Sequence, residues 1–310
     1  MLIKVLGSAA GGGFPQVNCN CSNCADLRQG RPGLRARTQS SLAVTGEGAT
    51  WVLLNASPDL RQQVGAVPEL APRAQAGARM SPIKAVVLTN GDVDHVAGLL
   101  SLREGFAFTI YATERVLQTL AHDRIFDVLD ARLVERVPLA IGKPVELTGG
   151  GARLGLTLEA FPVPGKVALY LEDPKAGPGL GTREGDTIGL RVTDAASGAA
   201  FFYIPGCAAV DTALADRLRD ASLVLFDGTL YSDEEMIAQG LSSKTGRRMG
   251  HISMSGPEGS LAAFDGLGVK RRIFVHLNNS NPVLREDGPE RRQVEAAGWE
   301  IAFDGMEIRP

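Results

Sequence analysis

The order in which strand-like and helix-like segments follow one another is what most constrains the fold of this chain. Strand-like runs come first, at Ile3–Leu6, Ser41–Val44 and Trp51–Leu54. The run Ile83–Leu88 is apolar apart from Lys84, as in a strand buried on both faces of a sheet. A polar turn follows it, then a helix expected from Val96 to about Arg103, a strand at Ala107–Tyr111 and a helix at Glu114–Ala121. The sequence then begins again. Strands are expected at Arg153–Phe161, Ile188–Val192 and Phe201–Ile204, then a helix near Thr212–Arg219 and a strand at Leu223–Phe226. A helix at Pro257–Phe264, a strand at Arg272–His276, a helix at Pro289–Ala297 and a last strand at Trp299–Ile308 close the chain. A β-rich stretch followed by βα units, and then the same again, predicts an α/β protein. Its two mixed sheets pack face to face with helices outside, in an αββα order. Residues 64–82, rich in Pro, Ala and Arg, read as a surface loop or short helix, and Pro174–Asp186, rich in Gly and Pro, as an excursion loop. No linker or low-complexity tail divides the 310 residues, so one domain over 1–310 is expected.

Charge and hydropathy exclude several function classes. The formal net charge is −3, and nucleic-acid binding needs a basic face. No stretch approaches the ~20 apolar residues of a membrane span. Met1-Leu-Ile-Lys-Val-Leu6 reads as a strand, not as a basic segment leading an apolar run. A cytoplasmic protein that binds neither nucleic acid nor membrane is expected. Three of its four cysteines lie within six positions, which in a reducing compartment argues for metal instead of disulfides.

That cluster is Cys19-Asn-Cys21-Ser-Asn-Cys24. Three thiolates at this spacing can converge on one centre, and zinc favours four such ligands in closed structural sites. A structural Zn2+ knot over about 18–25 is expected to pin the segment from 14 to 37 onto the body. Its fourth ligand could be Cys207, a His or a carboxylate. The glycine-rich loop Gly7–Gly13 lacks both the Walker A and the dinucleotide spacing and reads as a flexible loop beside a site.

A second metal site is expected where the buried strand Ile83–Leu88 ends. Asp92, Asp94 and His95 stand in the following polar turn, and sites in α/β folds gather at strand ends. Oxygen and imidazole donors suit Fe(II), Mn(II) or Zn(II). Taken singly, Asp92 and Asp94 could be helix caps and His95 a hydrogen-bonded core histidine. His122 has no such context and reads as surface or helix end.

Thr89–Gly98 resembles the metallo-β-lactamase motif, T-H-x-H-x-D-H-x-x-G, with Asp94, His95 and Gly98 kept and with Asn90 and Asp92 at two positions that normally hold His. Phe274-Val-His276 resembles the late strand that supplies a last His ligand, and Asp304-Gly-Met306 the family's C-terminal Asp-Gly-Met. Phe226-Asp227-Gly-Thr and Gly250-His251-Ile-Ser-Met-Ser are similar, more loosely, to acidic and histidine motifs of the phosphodiesterase and tRNA-processing branches. From Leu6–Gln16 and Asn18–Cys24 through Asp92–Glu104 and Met249–Gly256 to His276–Pro282, the chain resembles the PqqB family of pyrroloquinoline quinone biosynthesis. The resemblance implies the metallo-β-lactamase fold and a role in making that quinone cofactor.

One account of that family makes it an iron-dependent hydroxylase acting with O2 on the tyrosine ring of a cross-linked Glu–Tyr precursor. The substrate would then be a small, dipeptide-derived molecule with several carboxylates. His95, His276 and one of Asp92 or Asp94 could form the 2-His-1-carboxylate set of a catalytic Fe2+, with Zn2+ or Mn2+ as other occupants. His251 is a candidate acid/base or substrate-orienting group, Asp227 a second candidate catalytic residue, and Arg37, Arg61 and Arg103 are candidate carboxylate clamps. The competing expectations are a soluble carrier of the quinone or its precursor toward the periplasm and a metal-dependent, phosphodiesterase-like hydrolase. The loss of histidines at 90 and 92 weighs against the hydrolase.

Overall fold

In the computed structural model, which describes residues 1–73, 79–177 and 179–310, the chain forms two seven-stranded sheets. The first contains β1 (Leu2–Gly7), β2 (Ser41–Thr45), β3 (Trp51–Leu54), β4 (Ile83–Val87), β5 (Phe108–Ala112) and β6 (Val134–Pro138). The second contains β7 (Val145–Gly149), β8 (Ala152–Pro162), β9 (Ile188–Asp194), β10 (Ala200–Ile204), β11 (Leu223–Asp227), β12 (Arg271–Val275) and β13 (Trp299–Ile301). The last strand, β14 (Glu307–Ile308), returns to the first sheet beside β1.

Both sheets follow the same plan. In the first, β14, β1, β2 and β3 pair antiparallel, and β3, β4, β5 and β6 pair parallel. In the second, β7 to β10 pair antiparallel, and β10 to β13 parallel. This is the twofold β-rich, then βα order read from the sequence. Parallel strands need crossovers, which place helices on the outer faces.

Period-two alternation sorts the side chains into layers. Phe201 and Tyr203 of β10, with Ile273 and Val275 of β12, join Ile3, Val5, Leu42 and Leu54 of the first sheet in the core between the sheets. Phe202, Ile204 and Phe274 point outward with Phe264 and Trp299 into a second apolar layer. Leu53, Val86, Leu99 and Leu120 do the same outside the first sheet.

Several boundaries differ from expectation. The closing strand is not continuous over Trp299–Ile308. It splits into β13 and β14, which belong to different sheets. Asp304 makes the crossing, accepting the N–H and hydroxyl of Ser8 and of Thr38. The edge strands β6 and β7 were not anticipated. They are only half-buried, so they carry little apolar signal. The helix expected from Val96 begins at Val93 and continues as a 3-10 helix over Ala97–Leu102, so Asp94 and His95 lie in its first turn, not before it. Of Pro257–Phe264 only Ser260–Ala263 is helical. The segment 64–82 takes in the end of the helix Leu60–Ala66 and the 3-10 turn Pro68–Leu70, and residues 74–78 lie outside the described residues. So does residue 178 of the excursion loop. No helix among the described residues is long and apolar enough to cross a membrane.

The outer layer of the second sheet hinges on Trp299, stacked on Phe274 with ring centroids 3.9 Å apart and edge-on to Phe264 at 4.9 Å. Truncating a buried ring of this kind leaves a cavity that neighbours only partly fill. Trp299→Ala is expected to lower the unfolding free energy in urea by about 3–5 kcal/mol.

Candidate metal centre

The C-terminal ends of β4, β11 and β12 come to the same edge of the sandwich, so one site draws on both sheets. After β4 the chain enters Thr89–Asn90, bonded to Asn55 through the Thr89 N–H at 2.9 Å, and then the short helix carrying Asp94 and His95. Gly98 closes this turn against the backbone of Ala56 and Ser57. A Cβ there would stand 2.2 Å from the Ser57 carbonyl oxygen, so no side chain fits, and the motif glycine is a packing requirement.

Hydrogen bonds assign the imidazole nitrogens. Asn90 Oδ1 accepts the Asp92 N–H at 3.0 Å, which fixes the amide orientation. His95 Nδ1 lies 2.7 Å from the same oxygen and must therefore donate, leaving the lone pair on Nε2. That Nε2 is buried and has no hydrogen-bond partner among the described residues. Thr229 donates its hydroxyl to Asp227 Oδ1 at 2.6 Å and lies 2.8 Å from His276 Nδ1, so His276 also turns its Nε2 outward. His276 adopts φ 60° directly after β12, a left-handed conformation that costs a non-glycine residue on the order of 1–2 kcal/mol. The Nδ1–H that it donates to the Thr229 hydroxyl oxygen holds it there.

Asp94 Oδ2 completes the group, 3.1 Å from His276 Nε2 and 3.8 Å from His95 Nε2. Donor atoms of Asp94, His95 and His276 all lie within 4.8 Å of one another. Burial opposes charge on Asp94, but the attraction of His95 and the His276 hydrogen bond outweigh it and hold the carboxyl well below its usual range. Burial pushes His95 down. It acts the same way on His276, where the Asp94 hydrogen bond and charge prevail and raise it. A buried carboxylate beside two Nε2 atoms, one without a hydrogen-bond partner among the described residues and one sharing with Asp94 a proton that a cation would displace, is a donor set that a divalent cation satisfies.

A second acidic group, Asp227, His251 and His276, also has converging donors, but hydrogen bonds close it. Asp227 is fully buried. It accepts from Cys207 N–H at 2.9 Å, from His251 Nδ1 at 2.7 Å, and from the N–H and hydroxyl of Thr229. Asp227 thus works through other residues, orienting His251, while His251 itself lines the cavity in front of the metal donors. That cavity holds about 460 Å³. Ala10 and Gly11 of the glycine-rich loop form part of its wall, and Gly11 packs against Asp94. Asp92 lines it too, yet stands outside both groups. It sits at the helix N-cap without capping, because its Oδ1 takes the Leu169 N–H at 3.1 Å.

The three N-terminal cysteines converge as the spacing implied, within the same 4.8 Å limit. Asn279 closes their open side, its amide 3.1, 3.6 and 3.4 Å from the sulfurs of Cys19, Cys21 and Cys24. Burial pushes Cys24 up to about 11. At Cys19 burial is outweighed by hydrogen bonds from Cys21, Cys24 and Asn279, which lower it. Cys207 is elsewhere, its thiol on the Ala209 carbonyl. No signal in the sequence marked Asn279, which becomes adjacent only through the fold.

The expected arginine clamps are not at this cavity. Arg37 is buried and bonded to Ser8 Oγ and the Ala302 carbonyl, with burial pulling its guanidinium down to about 10. Arg61 and Arg103 line a separate groove beside Phe106. The cations at the metal cavity are Lys166 and Lys244, which no motif singled out. His122 is exposed at the end of its helix.

Behind the cavity, Asn278 donates to Ser280 Oγ at 2.6 Å, and Ser280 to Glu235 Oε1 at 2.5 Å. Burial pushes the Glu235 carboxyl up to about 7 from an ordinary 4.5. Between those values the folded protein holds a proton that the unfolded chain releases, so this contribution to stability is present at low pH and lost as pH rises through 7. From pH 5 to pH 8, the urea stability of the wild type is expected to fall by about 2–3 kcal/mol relative to Glu235→Gln.

Comparison with known proteins adds four findings. The family model described as a beta-lactamase superfamily domain matches residues 50–277. A coenzyme PQQ synthesis protein B from Bradyrhizobium diazoefficiens is 50% identical over 307 residues, covering 99% of this chain and 98% of the relative. The crystal structure of Zn2+-bound PqqB from Methylobacterium extorquens superposes with a TM-score of 0.93 at 48% identity, covering 100% of both chains. A diphosphatase from the PhnP family, at 20% identity and a TM-score of 0.67, shares the fold.

Proposed function

The chain belongs to the coenzyme PQQ synthesis protein B family of the metallo-β-lactamase superfamily, and we propose that its part in that biosynthesis is an iron- and O2-dependent hydroxylation. The substrate is the tyrosine ring of a cross-linked Glu–Tyr precursor. The observation that carries this reading is the group Asp94, His95 and His276, two imidazole Nε2 atoms and one carboxylate facing a common point beside an open cavity. A 2-His-1-carboxylate set with open positions is the donor set of non-haem Fe(II) oxygenases. Bound Fe(II), with O2 and two electrons from an external reductant, supplies the oxidising power to place one oxygen atom on an aromatic carbon. Mn2+ and Zn2+ fit the same donors.

The remaining work falls to the chain. Asn90 and Thr229 fix the two ligand imidazoles by their Nδ1 atoms, as outer-shell partners do in metal sites. Asp227 holds His251 by Nδ1, which leaves Nε2 to accept the phenolic proton as the ring becomes electron-rich. The cavity walls bring the ring alongside the metal donors and limit water. The sulfur-rich group Cys19, Cys21 and Cys24 suits a structural Zn2+ by ligand softness, and the zinc-bound relative supports a zinc site in this family. Hydrolysis by a two-metal centre is disfavoured. Asn90 and Asp92 replace histidines, and Thr229 fills the second donor group.

Anaerobic loading with Fe(II), then addition of the cross-linked Glu–Tyr diamino acid, ascorbate and ¹⁸O2, tests the reading by mass spectrometry. Wild type is expected to add one labelled oxygen atom, and His95→Ala, lacking a ligand, to bind less iron and add none. A wild type that holds iron and substrate yet adds no oxygen would turn the reading to that of a carrier. His251→Gln is expected to keep its iron but to turn over slower by on the order of 100-fold, since it removes the proton acceptor and not a ligand.

A further inference from the structure

The metal cavity has a cationic wall whose charge is only partly matched by protein carboxylates. Lys166, Lys244 and Arg248 surround Glu172, whose side chain is 9% exposed. Arg248 takes both Glu172 oxygens in a fork, at 3.2 and 2.9 Å, and these bonds hold the carboxyl below its ordinary range. The lysines stand further off, with Nζ atoms 3.4 and 3.9 Å from Glu172 oxygens. One negative charge among three positive ones leaves two in excess, and both lysines line the cavity with Asp94, His95, His251 and His276.

Lys166 is built into this wall. Its carbonyl accepts the Thr187 hydroxyl at 2.8 Å, and its side chain is 18% exposed. Its stem lies against Gly250, where φ is +88° and a Cβ would come within 2.9 Å of Lys166 Cγ. Its ammonium donates to the Val167 carbonyl at 3.3 Å, and the residue lines the same cavity as His251. A lysine is a point charge on a flexible stem, able to turn from a loose contact with Glu172 to an anion in the cavity. Asp92 and Asp94 line the cavity too, so an anionic group is directed to the lysines by repulsion from these carboxylates as well as by attraction.

We propose that Lys166 and Lys244 form a carboxylate-binding subsite of the metal cavity, which takes an amino-acid carboxylate of the substrate and turns its phenol ring toward Asp94, His95 and His276. The identity of that substrate rests on the function proposed above; the anion subsite rests on the charges and the cavity.

Calorimetric titration of the Zn2+-loaded full chain, without O2, tests it with two probes. One is the cross-linked Glu–Tyr diamino acid, and the other is tricarballylate, a plain tricarboxylate. Lys166→Met and Lys244→Met are each expected to weaken both probes about tenfold, the scale of one lost hydrogen bond to a charged group. Lys166→Arg and Lys244→Arg, which keep the charge, should bind within about threefold of wild type, and the diamino acid with its carboxylates converted to amides should not distinguish any variant. Met variants that bind both acids like wild type overturn the subsite, as does a wild type that binds neither. Binding of the diamino acid that ignores the lysines overturns the subsite and leaves the substrate reading intact. Lysine-dependent binding of tricarballylate alone supports the subsite and removes the substrate reading.

Discussion

The arrangement of the site depends on one buried carboxylate. Asp227, at the end of β11, is closed off from solvent and would be costly there if unpaired. Instead it accepts four hydrogen bonds from three segments. Cys207 N–H brings in the loop after β10, Thr229 fixes the turn after β11, and His251 draws in the segment that precedes Ser260–Ala263. The Thr229 hydroxyl passes the constraint to His276 at the end of β12. Three neighbouring parallel strands are thereby set in register at the edge where the metal donors lie. The ligand imidazole is held indirectly, by a hydroxyl whose own proton is committed to Asp227.

The same segment of chain ties this edge to the cysteine group. Between His276 and Asn281 the polar residues have different duties. His276 faces Asp94, Asn278 faces the cavity, and Asn279 faces the three sulfurs. Ser280 holds Glu235, while Asn23 of the cysteine turn donates to the carbonyls of Asn279 and Asn281. The cysteine group and the imidazole group are therefore three residues apart along one strip, through His276 and Asn279. Order at the first sets the backbone on which the second is built.

The two-sheet plan was legible because it is written in periodicity. Buried central strands such as Ile83–Val87 and Leu223–Asp227 announce themselves by apolar runs, and the repeat of antiparallel then parallel pairing follows from the segment order. Edge strands β6 and β7 were lost because edges are half-solvated and carry no such run. The break between β13 and β14 was lost because Asp304 acts through contacts with Ser8 and Thr38, 296 and 266 positions away. At the site, ligand types with motif spacing were readable: the three cysteines, Asp94, His95 and His276. The groups that orient them were not. Asn279 and Glu235 are far in sequence from the sulfurs and the Ser280 hydroxyl they touch, and Thr229 reaches His276 only through the fold; the arginines proposed as clamps were chosen by residue type alone, where lysines line the cavity.

Asn90 shows how a departure from a family pattern can be misjudged when it is counted only as a loss. Read along the sequence, it is a missing nitrogen ligand. In the fold its amide oxygen, itself fixed by the Asp92 N–H, receives the Nδ1 proton of His95 and so places the lone pair on Nε2. A histidine at 90 would offer a ligand in its own right; the asparagine instead prepares its neighbour to be one. Asp92 completes the change, because its carboxylate is drawn to the Leu169 N–H, on the strip that carries Lys166 and Glu172. At two positions where the family motif places histidines, these residues instead support His95 and the wall of the cavity in front of it. A centre with fewer protein ligands and a walled cavity suits chemistry in which a small molecule must share the metal's surroundings with the substrate.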